Sequence, residues 1–348
     1  WRSRPLGDLL AEHGLAGAEE SPFEHNGWSG ARLTTVARDG RGFVLKRTSW
    51  ELDWIARATR DTEIREAWLA AARLKLPGPV VAPHLGAASD DGIAAILMPD
   101  LGDSLVEWDE PGLPPIDATL LDNVVTGVAA LHSGDWTTGD GAALADVPWC
   151  PLLERVTLLT PPTAERYRAS GLVIGDRFLA GWEAFRRHAP GAASDLVERL
   201  SADPAPLLAA LRGLPAVPLH GDLKLANVAP LPDGRLAIID WQMALDSAVA
   251  VELGWFLVSN VAALPAEPDD VLARYRAAVV GCAGERTDDV LGDWERQLDL
   301  TFLVGLLLRG WRKGLDADAG IATGAGVSAR VDLLDWSRRA VDAAQRSL

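Results

Sequence analysis

A chain of 348 residues with 48% hydrophobic side chains is long enough for two packed lobes and apolar enough to bury a core, which excludes a disordered or fibrous chain. The net charge of −16, from 49 acidic against 33 basic residues, repels phosphate backbones and anionic lipid surfaces, so neither nucleic acid nor membrane is expected as a partner. No basic stretch leads into an apolar run near Trp1, which makes the cytoplasm the default location, and the two cysteines, Cys150 and Cys282, read as small hydrophobes without chemistry.

In chain order, a short helical pattern over residues 6–13 precedes three strands with turns over residues 18–48. The first strand runs to His25, the turn Asn26-Gly27-Trp28-Ser29-Gly30-Ala31 follows, and residues 32–37 alternate as the second. Asp39-Gly40 then marks a hairpin into Gly42-Phe43-Val44-Leu45-Lys46, so an antiparallel sheet opens the chain. Over residues 61–76, Ile64, Ala67, Trp68, Ala71 and Leu74 recur at three- and four-residue spacing, one face of a helix ended by Pro77-Gly78-Pro79. Two further strands are expected over residues 80–87 and 93–98, and Pro99-Asp100-Leu101-Gly102 breaks the second.

Beyond that break the periodicity becomes helical, over residues 120–131, 177–188, 195–214, 249–264, 294–310 and 331–348. The exception is the strand-like run 235–240, reached through the turn Pro232-Asp233-Gly234. The longest apolar stretches, residues 253–264 and 300–308, are about half the roughly 20 residues needed to span a bilayer and read as buried helix. A boundary near residue 100 therefore separates a sheet-bearing domain, residues 1–100, from a mainly helical one, residues 101–348.

The polar pattern richest in chemistry is His220-Gly221-Asp222-Leu223-Lys224-Leu225-Ala226-Asn227, followed by the apolar residues 236–239 and then Asp240-Trp241. Moving phosphate from ATP to a hydroxyl requires a carboxylate to take the hydroxyl proton and oxygen ligands to hold Mg²⁺ on the phosphates. A loop carboxylate, an amide oxygen five residues on, and a second carboxylate at a strand end supply those groups. Lysine is scarce, at Lys46, Lys75, Lys224 and Lys313 alone, which suggests retention where arginine's planar fork would not serve. Lys46 ends the third strand, and either Glu63 or Glu66, three residues apart on the next helix, is placed to reach it. Backbone amides of the turn at Gly27, Ser29 and Gly30 can cradle phosphates. His25, His84, His132 and His188 have neither metal-ligand spacing nor a nearby nucleophile and read as structural or surface residues.

The spacing H-G-D-x-x-x-x-N with a later I-D-W resembles the aminoglycoside phosphotransferases and their small-molecule kinase relatives, which share the protein-kinase fold. The resemblance implies an α+β, two-lobed protein-kinase-like fold, with a small N-terminal antiparallel sheet lobe carrying one helix and a larger, mainly helical C-terminal lobe. It implies Asp222 as the catalytic base, Asn227 and Asp240 as magnesium ligands, and Lys224 on the transferred phosphate. By the same resemblance Lys46 holds the α- and β-phosphates of ATP and pairs with Glu66 of Arg65-Glu66-Ala67, while the backbone around Met98, Asp100 and Leu101 bonds the adenine. Glu252 lies where relatives carry an acidic residue that braces the metal loop, and it stays outside the expected site.

Trp241-Gln242 stands where a protein kinase carries Phe-Gly, and no Ala-Pro-Glu follows, so the acceptor is expected to be a small molecule and not a protein. The expected activity is ATP- and Mg²⁺-dependent phosphate transfer to a hydroxyl of an aminoglycoside-type antibiotic or a related amino sugar or metabolite. Asp135, Asp140, Asp146 and Asp246 would suit a polycationic acceptor. The rival readings are a nucleotide-binding pseudokinase used as a regulatory module, and a protein kinase.

Overall fold

The computed structural model describes residues 1–23, 28–107, 113–139 and 141–348. His25, Asn26, Gly27 and Asp140 therefore lie outside the described residues. The chain folds into two compact units. The first comprises Trp1–Val106, Asp135–Pro151 and Asn227–Ala244, and the second Glu107–Gly134, Leu152–Ala226 and Leu245–Leu348.

The first unit is built on a five-stranded antiparallel sheet. Glu19–Pro22, Arg32–Arg38, Arg41–Thr48, Ile93–Pro99 and Gly86–Asp90 lie side by side in that order. Strand alternation sends Phe43, Leu45, Ala95 and Leu97 to one face, where Leu9 of the Leu6–Glu12 helix packs. Val44, Ala94, Ile96 and Met98 point to the other face, against Ala67 and Ala70 of the Arg65–Ala71 helix. Lys46 has the parity of Val44 and sits opposite Ile96, so the same alternation delivers its ammonium to the helix-covered face.

The helix expected over residues 61–76 is shorter than its periodicity suggests. Asp61 accepts the Arg65 backbone N–H at 2.8 Å, and Ile64 sits in the left-handed region at φ 53°, so helix begins only at Arg65. Arg73, also at positive φ, ends it, and Leu74–Lys75 instead pairs with Thr137–Thr138. The strand expected over residues 80–87 is two strands. Val80–Val81 runs parallel to Leu236–Ile238 in a second small sheet, whereas Gly86–Asp90 joins the large one. The helix Trp54–Ala58 has no counterpart in the sequence reading; Asp53 caps it by accepting from the Ile55 and Ala56 amides.

In the second unit, the 26-residue helix Trp294–Ala319 is packed by Ile174–His188, Ala250–Ser259 and Ala329–Ser347. It runs past the expected end at Gly310 because its polar residues are paired: Arg312 bonds Asp316 at 2.8 Å and Lys313 bonds Asp332 at 2.5 Å. The helix expected over residues 195–214 is two, Gly191–Ala202 and Ala205–Arg212. Pro204 disfavours helical backbone at Asp203, which is extended. Leu152–Thr157, Pro161–Ala169 and Pro268–Ala283 are helices that the sequence reading left unassigned.

Candidate active site

In the first unit the chemistry gathers around Lys46. Its Nζ donates to Glu66 Oε2 at 2.6 Å and to Asp240 Oδ1 at 2.7 Å. Of the two glutamates placed within reach by sequence, Glu66 takes the contact, while Glu63 forms an ion pair with Arg2 at the surface. Burial by itself would lower the pKa of Lys46, but the Asp240 and Glu66 carboxylates outweigh it and raise the pKa above the ordinary lysine value. Burial would likewise raise Glu66, yet the Lys46 charge and a hydrogen bond from His84 hold it below the carboxylate range. The cluster is thus a buried lysinium shared by two carboxylates.

Asp240 reaches Lys46 because of a local backbone device. The hairpin of Val228–Pro230 and Leu236–Ile238 pairs Val228 with Ile238, and Ile239 N–H then bonds Asn227 O at 3.0 Å. Asn227 and Asp240 therefore leave the same end of one hairpin. Asp240 adopts φ 69°, an uncommon conformation for a residue with a side chain, and starts the turn Trp241–Met243, where Trp241 Nε1–H bonds Ile238 O at 2.6 Å. Arg65, buried beside Glu66, donates to Gln242 O and to Pro148 O, tying the Glu66 helix to the Asp240 turn.

Among the described residues, no cluster of three or more His, Cys, Asp or Glu could hold a metal by itself. The oxygens of Asn227 and Asp240 fit Mg²⁺, a hard cation that takes few protein ligands and completes its shell from nucleotide phosphates and water. Asp240 keeps 24% of its side chain exposed and so retains access for such an ion.

The expected phosphate-binding turn is described from Trp28 onward. Trp54 fastens it, donating from Nε1 to Trp28 O at 2.6 Å and from its backbone amide to Ser29 O at 3.0 Å. Gly30, at φ 97°, passes so close to Leu52 that a Cβ would meet its carbonyl oxygen at 2.3 Å. Met98 ends the buried run of its strand, Asp100 N–H bonds Gly42 O at 3.1 Å, and Leu101 opens the short turn Gly102–Ser104.

In the second unit, the His220–Ala226 loop is clamped from three sides. Glu252, wholly buried on the Ala250–Ser259 helix, accepts from the Gly221 amide at 2.6 Å and the His220 amide at 3.2 Å. His132 Nε2 meets the same carboxylate at 2.9 Å, and Tyr275 OH meets His132 Nδ1 at 2.8 Å. Burial pushes Glu252 up, but the His132 hydrogen bond, the nearby histidines and the Gly221 amide hold it below the ordinary range. On the other side, Arg155 donates from Nε to Gly221 O at 2.7 Å. Farther on, Asn260 Oδ1 accepts from the Leu225 amide at 2.8 Å. Gly221 itself is at φ 83°, which glycine adopts without strain. Within this frame Asp222 is nearly buried, and Lys224 Nζ lies 3.2 Å from its Oδ2.

The sequence reading left Glu252 aside and missed Arg155, Asn260, His132, His84 and Asp53. Glu252 and Asn260 did leave a signal: both interrupt an otherwise apolar helical run, and a polar group buried there requires a partner. Asp53 is buried behind Lys46 and bonded by Thr48 Oγ1 at 3.3 Å; burial raises its pKa to about 6 against the pull of the Lys46 charge. Of the acidic residues named for a cationic acceptor, Asp135 and Asp146 fall in the first unit and Asp246 in the second, where it is exposed.

Similarity to known proteins was found at two levels. Among solved structures, the chain is similar to an aminoglycoside-3′-phosphotransferase of type VIII (18% identity, covering 87% of this chain and 98% of the other, TM-score 0.46). It is also similar to a macrolide 2′-phosphotransferase from Brachybacterium faecium (19% identity, covering 90% and 92%, TM-score 0.44) and a choline kinase from Streptococcus pneumoniae (10% identity, covering 96% and 98%, TM-score 0.44). Comparison with curated protein sequences gave no match. No described helix is long and apolar enough to cross a membrane. The model of the phosphotransferase enzyme family (APH) matches residues 22–287, a span that takes in Lys46, Glu66, the His220–Asn227 loop and Asp240. The chain therefore belongs to the phosphotransferase enzyme family.

Proposed function

We propose that the protein transfers the γ-phosphate of ATP, with Mg²⁺, to a hydroxyl of a small molecule. The observation that carries this reading is the buried lysinium of Lys46 held between Glu66 and Asp240, 2.6 and 2.7 Å away. The buried Lys46–Glu66 pair is costly for a fold to keep, and breaking a buried pair typically costs about 3–5 kcal/mol. A lysine fixed within a paired strand, with one N–H free to turn toward a ligand, suits the α- and β-phosphates of a nucleotide.

In this reading the first unit binds the nucleotide. Lys46 carries the phosphate charge and Glu66 orients Lys46. The turn at Gly27, Ser29 and Gly30 offers backbone amides to the phosphates, and the stretch from Met98 through Asp100 to Leu101 lies along the adenine. Asn227 and Asp240 hold Mg²⁺, which when bound neutralises charge developing on the phosphate oxygens. The second unit supplies Asp222, which accepts the proton of the acceptor hydroxyl, and Lys224, whose charge serves the transferred phosphate. Clamping of Gly221 by Glu252 and Arg155 supports Asp222 in that role, since a base must be positioned before its basicity matters.

The acceptor is proposed to be cationic, of the aminoglycoside or amino-sugar kind, because a net charge of −16 attracts such a molecule. The test is a coupled ADP-release assay with ATP and Mg²⁺ against aminoglycosides, macrolides, amino sugars, sugars, choline and homoserine, with Asp222→Ala as control. Stimulation by a cationic acceptor, absent in the variant, is expected. Stimulation by neutral acceptors alone would overturn the charge argument, and ATP binding without transfer to any acceptor would favour a pseudokinase.

A further inference from the structure

We propose that His84 is a positioning residue for phosphoryl transfer, which fixes the carboxylate of Glu66 and through it the ammonium of Lys46. The inference rests on the reading of Lys46 as the nucleotide's phosphate ligand and adds a residue to that site. Neither the spacing of the histidines nor any motif singled out His84.

Glu66 is 1% exposed, so its two oxygens cannot rely on solvent. Oε2 accepts from Lys46 at 2.6 Å, and Oε1 meets His84 Nε2 at 3.2 Å. The last torsion of a glutamate is broad and has no strong preference of its own, so the plane of this carboxylate is set by what bonds to it. Lys46 alone is a poor anchor, because its ammonium also bonds Asp240 and, in the proposed function, a phosphate. Those three partners would use all three N–H donors of the lysine. His84 holds the second oxygen from a place that does not change hands.

That place is rigid. His84 lies three residues beyond the Val80–Val81 strand and two before the Gly86–Asp90 strand. The first of these pairs with Leu236–Ile238, which leads into Asp240, and the second pairs with Ile93–Pro99, the neighbour of the Lys46 strand. Leu85 N–H, next in sequence, bonds Leu97 O at 2.8 Å. The connection carrying the imidazole thus spans the two sheets that carry Lys46 and Asp240. His84 Nδ1 is buried with no hydrogen-bond partner among the described residues, so the ring's polar contact there is the one from Nε2 to Glu66.

The chemistry suggests a test that separates positioning from packing. The amide nitrogen of glutamine can take the place of Nε2, whereas that of asparagine is too short, and leucine fills the volume without a donor. Affinity for ATP with Mg²⁺, measured by calorimetry, needs no acceptor. His84→Leu is expected to weaken it about tenfold, the usual effect of losing a hydrogen bond to a charged group. His84→Gln should restore affinity to within about threefold of wild type, and His84→Asn should not. In a Glu66→Gln background, His84→Leu should add less than about twofold, since the two residues act as one unit.

Affinity of His84→Leu within twofold of wild type, while Lys46→Ala loses ATP, would overturn the role of His84 and leave the nucleotide site standing. So would equal losses in the Gln and Asn variants that follow their melting temperatures, which would make His84 a packing residue. A wild-type protein that binds no ATP would overturn both readings together.

Discussion

Replacing Glu252 by alanine tests whether the loop bearing Asp222 is held by this one buried carboxylate. The carboxylate, 0% exposed, takes hydrogen bonds from Gly221 N at 2.6 Å, His220 N at 3.2 Å and His132 Nε2 at 2.9 Å. Alanine leaves three donors without an acceptor where water does not reach, and each unpaired buried donor costs about 1–3 kcal/mol. The costs do not add fully, because the loop relaxes once its anchor is gone, so a loss of about 3–5 kcal/mol is expected. Urea denaturation followed through the chain's 14 tryptophans measures it. Glutamine keeps the volume and one acceptor and should lose roughly half as much. Displacement of Asp222 by even about 1 Å should cut turnover around a hundredfold, while ATP affinity, assigned to the other unit, stays within about threefold. An alanine variant within about 1 kcal/mol of wild type and with near-normal turnover would refute the reasoning.

Asp53 gives a pH-dependent prediction. Its pKa in the folded chain is raised from 3.8 to about 6 by burial, so the native state holds this proton more tightly than the unfolded chain. Stability from this group is full below about pH 4 and is lost as pH rises through about 6, a change of up to about 3 kcal/mol. Asp53→Asn, which keeps an oxygen for the Ile55 and Ala56 amides, should flatten that dependence and melt at or above wild type at pH 7.5. A lower midpoint at pH 7.5 would contradict it. Gly254→Ala should destabilise by about 1–3 kcal/mol, because a Cβ would meet Thr301 O at 2.6 Å and Gly305 N at 2.9 Å, both backbone atoms of the Trp294–Ala319 helix. An unchanged urea midpoint would mean that the two helices part at no cost.

Much of this architecture was legible in the residues, because strand alternation and helical periodicity are local. The opening three strands, the Ala118–Ser133 helix and the Ala329–Ser347 helix follow from those patterns. Elements failed where a single backbone event cut a good pattern. Ile64 at positive φ shortened the Glu66 helix, and Pro204 split another despite unbroken apolar spacing on either side. The site divides the same way. Asp222, Asn227 and Asp240 stand out by spacing, and Lys46 by its place at a strand end. Arg155, Asn260, His132 and His84 act on Gly221, Leu225, Glu252 and Glu66, partners 66, 35, 120 and 18 positions away in sequence, and no spacing rule marks them. Glu252 lay between these cases, since its charge in an apolar run asked for a partner but did not say which.

The most direct test of the central claim is calorimetric binding of ATP, with and without Mg²⁺, to wild type, Asp222→Ala and Asp240→Ala, together with turnover on the acceptor found active. The expected result is that Asp222→Ala binds ATP as wild type does while turnover falls by several orders of magnitude, and that Asp240→Ala loses the Mg²⁺-dependent part of binding. Wild-type turnover in Asp222→Ala, or Mg²⁺-dependent binding that survives in Asp240→Ala, would contradict the assignment of base and metal ligand.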